Sequence, residues 1–150
     1  MRDDDAALTA DEKRSLRCVA AMMIPASAAH GVPGADDDAI FADILNSIGL
    51  DAALVRQALQ RLDAFAGGVF ADCDTARREA AAAALREAGG PPLTALTRIV
   101  TQCYYRDDRV MRSLGMEVRA PFPKGFEVEQ GDWSLLDPVR ARAAFYRHAP

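Results

Sequence analysis

The stretch DAALVRQALQRLDAFAGG, residues 51–68, decides the fold class. Leu54, Val55, Ala58, Leu59, Leu62 and Phe65 recur along it at three- and four-residue steps. That spacing lines one face of an α-helix, whereas a strand sends successive side chains to opposite faces. Asp51 stands where a helix cap belongs, and Gly67-Gly68 ends the pattern.

The same grammar extends in both directions. Upstream, Asp36-Asp37-Asp38 precedes Ile40, Phe41, Ile44, Leu45 and Ile48, and Gly49 closes that helix. Carboxylates favour the positive end of a helix. A metal site is the other reading of the Asp triplet, but partner ligands at a known loop spacing are missing, so the cap is expected. Further upstream, Thr9 and Glu12 fit a reciprocal capping box. Leu16, Val19, Ala20 and Met23 follow at helical spacing until Pro25 stops the run. Residues 26–35, with Gly31, Pro33 and Gly34, form a loop.

Downstream, a helix is expected from about Thr75 to Ala88. It is built of Ala, Arg and Glu around one large apolar residue, Leu85, so it packs closely on a neighbour or lies near the surface. Gly89-Gly90-Pro91-Pro92 breaks the chain. Leu93, Leu96, Ile99, Val100, Cys103 and Tyr104 then share one stripe. Asp107 caps a last short helix through Val110, Met111 and Leu114, ended by Gly115. The expectation is an all-α protein, a compact bundle of five to six helices over about residues 8–115 in one domain.

From Met116 to Pro150 the character changes to an extended tail. Pro121, Pro123, Pro138, Gly125 and Gly131 prevent a long helix there. Only a short turn is expected, from Pro138 to about Ala144 with Asp137 as its cap. Phe122, Phe126, Trp133, Phe145 and Tyr146 are five of the ten aromatic residues of the chain. Each buries on the order of 150–250 Å² when packed, so the tail folds back on the bundle or lies on another protein. Trp, Tyr and Arg anchor interfaces, which favours partner contact through Trp133, Tyr146, Arg140, Arg142 and Arg147.

Composition narrows the function classes. Half of the residues are hydrophobic, which argues against disorder. The formal net charge of -4 points to neither nucleic acid nor an anionic membrane. No run approaches the ~18 apolar residues of a membrane span. Of the 18 basic residues only Lys13 and Lys124 are lysine, and guanidinium groups suit forked pairing with carboxylates. Cys18, Cys73 and Cys103 follow no ligand spacing and read as small buried hydrophobes; their odd number leaves an intermolecular bridge open. The start, Met1-Arg2-Asp3-Asp4-Asp5, has neither a secretory nor a twin-arginine signal, so a cytoplasmic chain is expected, or a periplasmic one if the start was trimmed.

A catalytic set does not assemble. The two histidines are His30, in the loop, and His148, near the end. There is no G-x-S-x-G turn and no phosphate-cradling glycine loop. The carboxylates form exposed runs without the burial that would raise a pKa. Tyr104-Tyr105-Arg106-Asp107 reads as a helix end packed on the tail, with a pocket wall as the alternative. No catalytic, cofactor-binding or metal residue is assigned.

Three stretches, LRCVAAMMIPAS (residues 16–27), YYRDDRVMRSLGMEVRAPFPKGFEV (residues 104–128) and DWSLLDPVRARAAFYR (residues 132–147), carry a family likeness. The sequence resembles the gluconate 2-dehydrogenase subunit 3 family, whose members show an apolar helix ending in Ile-Pro, a Tyr-rich helix end, an LG turn and a Pro-x-Pro-x-Gly stretch. The resemblance implies a small subunit without a catalytic role of its own. Its partner would be a large FAD-dependent dehydrogenase of the glucose-methanol-choline type, with a cytochrome c subunit as a further candidate. The FAD would belong to the partner. Contact is expected through Pro121, Phe122, Pro123, Gly125, Phe126, Trp133, Arg140, Arg142 and Tyr146. Many members begin with a twin-arginine signal, from which this sequence departs. The competing expectation is a free-standing helical ligand-binding module or small enzyme with a pocket near Tyr104, Tyr105 and Trp133.

Overall fold

A computed structural model describes residues 8–119, 125 and 129–143. Its described residues are all-helical, with no named strand; a single bridge joins Ser27 and Val32. The chain divides into two units, Met1–Val118 and Arg119–Pro150.

The described residues of the first unit form six α-helices: α1 (Ala10–Met23), α2 (Asp38–Ser47), α3 (Ala52–Ala66), α4 (Thr75–Ala88), α5 (Pro91–Tyr105) and α6 (Asp108–Ser113). α3 is the central helix, packing on α4, α5 and α1, while α2 and α6 pack on α5. Val55, Ala58, Leu59 and Leu62 of α3 are wholly buried. Around them lie Leu16, Ile40, Ile44, Phe70, Leu85, Leu96, Val100 and Val110. Truncating one of these leucines to alanine removes contacts that the neighbours cannot fully recover, at a cost of about 2–5 kcal/mol.

The helix signals act as their chemistry requires. Thr9 Oγ1 accepts from Glu12 N at 3.2 Å, and Glu12 Oε2 accepts from Thr9 N at 2.8 Å. Asp37, Asp74 and Asp107 accept from the first free amides of α2, α4 and α6. Of the Asp triplet, Asp37 is the cap, whereas Asp38 pairs with Arg17 of α1; among the described residues no group of three or more His, Cys, Asp and Glu side chains is arranged to hold a metal ion.

Four expectations need correction. Asp51 does not cap α3, because a 3₁₀ turn over Gly49–Asp51 already gives it helical dihedrals. Its carboxylate goes to Arg98 Nη2 of α5 at 2.5 Å instead. Phe65 is 47% exposed: at 100° per residue it falls about 20° outside Ala58, at the edge of the buried arc and in the last turn of α3. Cys18 is half-buried on α1, whereas Cys73 and Cys103 are buried; all three are free thiols. In the second unit the helical turn begins before Pro138, with a 3₁₀ turn at Trp133–Leu136 leading into α7 (Asp137–Arg140). Asp132, not Asp137, makes the side-chain cap, and it caps the 3₁₀ turn by accepting from Ser134 N at 3.0 Å. The expected end at Ala144 lies outside the described residues.

Candidate functional site

In the second unit, Trp133, Leu135, Leu136 and Val139 sit within seven consecutive residues. They are 59%, 74%, 41% and 55% exposed. Asp132 starts the turn by accepting from Ser134 N and, at 2.6 Å, from its Oγ. Those hydrogen bonds hold the Asp132 carboxyl below the usual carboxylate range. Pro138 supplies a fixed φ at the start of α7. Trp133 Nε1 donates to Gln130 Oε1 at 3.2 Å, and Arg140 Nη1 pairs with Asp137 Oδ1 at 3.3 Å. A short polar frame thus orders a turn of exposed apolar side chains.

Of the residues expected at a partner interface, the structure describes Gly125, Trp133, Arg140 and Arg142. Gly125 adopts φ +70° and its carbonyl accepts from Arg119 Nη2. Trp133, Arg140 and Arg142 are exposed. Pro121, Phe122, Pro123, Phe126 and Tyr146 lie outside the described residues. The sequence reading missed Leu135, Leu136 and Val139. Their signal was available in WSLLDPV, where apolar residues crowd a segment that a proline keeps too short to bury them.

On the first unit, Tyr104 is buried in the core and Tyr105 meets it edge-on at 5.2 Å, itself 55% exposed. The tyrosine pair closes α5, and the next two residues, Arg106 and Asp107, border a cleft with Ala39, Asp43 and Cys103. A polar cluster surrounds it. Arg106 grips Asp43 of α2 with two bonds of 2.6 Å, and Arg109 Nη2 joins Asp37 at 2.7 Å and Asp107 at 3.0 Å. The facing guanidinium holds each of these three carboxyls below the usual range. Burial pushes the Cys103 thiol up, opposite to the lowering that activates a thiol. These groups are saturated by one another and tie α2 to α5 and α6.

Two open grooves flank α1. One, of about 590 Å³ between α1, α4 and α5, includes Val19, Met22, Met23, Leu93, Glu79 and Arg86 in its lining. The other, of about 490 Å³, has Arg14, Arg17, Cys18 and Arg78 along it. Among the described residues no helix is long and apolar enough to cross a membrane. No protein-family model, curated protein or solved structure matches the chain.

Proposed function

We propose that this chain is a non-catalytic small subunit that binds and stabilises a large FAD-dependent dehydrogenase of the glucose-methanol-choline type. The observation that supports it is the exposed apolar turn of Trp133, Leu135, Leu136 and Val139. Contiguous exposed apolar surface marks a contact site, and an indole flanked by leucines and Arg140 has the composition of an interface anchor. The likeness of residues 16–27, 104–128 and 132–147 to the gluconate 2-dehydrogenase subunit 3 family supplies the class of partner. FAD and the alcohol or sugar substrate belong to that partner. Binding that favours the folded form of both chains stabilises each by mass action.

The test is capture of the tagged full chain after co-expression with its neighbouring genes. A yellow eluate with flavin absorbance and a second, much larger chain is expected. A version ending at Val118 should elute alone. A colourless single chain from the full-length protein overturns the reading.

A further inference from the structure

α4 packs on α3 through Ala81 and Leu85 and turns its other side to solvent. Glu79, Ala83 and Arg86 lie on that exposed side. Seven residues make two helical turns less about 20°, so Glu79 and Arg86 point the same way, about 10.5 Å apart along the axis. That separation keeps them from pairing with each other. Both border the groove with Met22 and Met23, and Met22 is 37% exposed. Among the described residues neither Glu79 nor Arg86 has an ion-pair partner. The arginines of α1, α5 and α6 all hold carboxylates.

We propose that this groove and the outer side of α4 form a two-fold interface with a second copy of the chain, the two α4 helices lying antiparallel. A closed two-fold contact needs one surface that complements itself. Reversing α4 about the point between Ala82 and Ala83 sets Glu79 against Arg86 of the second copy, and Arg86 against its Glu79. A parallel arrangement would set like charges together, so the charge order selects the antiparallel one. Alanine at the crossing point lets the helices approach to the short end of the roughly 8–10 Å range. The second α4 then covers Met22 and the apolar groove floor. Two exposed ion pairs beside one groove give a weak dimer, with a dissociation constant on the order of 10 μM.

Sedimentation equilibrium of the full chain alone tests this, and the absence of the flavoprotein keeps the result separate from the subunit reading. A reversible monomer–dimer equilibrium is expected. Glu79→Arg and Arg86→Glu should each weaken it about tenfold, and the double reversal E79R/R86E should return it to the wild-type value. Both positions are exposed, so circular dichroism melts should match wild type. If a reversal fails to fold, Ala83→Leu provides a second probe, since a larger side chain at the crossing point should separate the helices. A wild-type chain that stays monomeric at about 200 μM, far above the expected constant, overturns the proposal. So does a double reversal no better than the single ones, or association that ignores all three positions.

Discussion

Gly34 shows how tightly a single residue can be held without any unusual backbone. It is buried, and its φ lies outside the left-handed region. A Cβ there would come to 2.9 Å from Ala26 N and 3.3 Å from Ile24 O, with the Asp36 carboxylate closer still. The carboxylate can swing away, but the backbone atoms cannot. They belong to a loop pinned by Ala35 N to Ile24 O at 2.8 Å and by the Ser27–Val32 pair at 3.0 and 3.1 Å. That loop fixes where α2 begins relative to α1. Gly34→Ala should therefore cost about 1–3 kcal/mol of stability through overpacking, read from urea unfolding. Gly68→Ala is the control. Nothing lies within 4 Å of its Cβ position and its φ is not in the left-handed region. That change should be neutral or stabilising by up to about 1 kcal/mol. Equal midpoints for the two variants would show that the loop yields where the geometry says it is rigid.

Between helices, the first unit is tied by arginine bridges whose strength depends on pH. Arg109 joins Asp37 and Asp107, the caps of α2 and α6, so one guanidinium fixes the starts of two helices. The side-chain bond to Arg109 is the main reason both carboxyls titrate below their ordinary value of 3.8. A carboxyl lowered by folding contributes its full stability above the unfolded value and loses it as pH falls through the lowered one. Stability should thus be level between about pH 7 and pH 5 and decline below about pH 4. Arg109→Met should make that decline shallower and cost about 1 kcal/mol near neutral pH, a small figure because the pair is partly exposed and screened. An unchanged acid slope in the variant would assign the acid sensitivity to other carboxylates. The helices themselves were legible in the sequence because caps and apolar spacing are local signals, as in Thr9–Glu12 and in Leu93 to Tyr104. The bridges were not. Arg109 and Asp37 are 72 residues apart, and nothing in either neighbourhood names its partner. Asp51 shows the same limit: its spacing matched a cap, but pairing with Arg98 47 residues away took the carboxylate instead.

At the scale of the whole molecule, the two units differ in how they treat apolar side chains. The first buries a leucine- and isoleucine-rich core. The second leaves each of residues 129–143 exposed, Trp133, Leu135, Leu136 and Val139 among them. The proline at 138 and the short α7 explain why: four helical residues present too little surface to cover four large side chains. The sequence reading found Trp133 because tryptophan is conspicuous. It passed over the aliphatic residues because period-based patterns need more than one turn to show. The contrast separates folding from association. Leu135→Ser combined with Leu136→Ser and Val139→Ser alters exposed positions only, so the melting of the chain should move by no more than about 0.5 kcal/mol. The same variant should bind less of a hydrophobic dye when isolated. Under the proposed subunit role, its capture of a flavoprotein partner should weaken by about 2 kcal/mol or more, as expected when interface anchors are truncated. Isothermal titration against the purified partner measures the last quantity. Loss of melting stability with unchanged capture would mean that the turn serves the chain's own fold and that the proposed partner is held elsewhere.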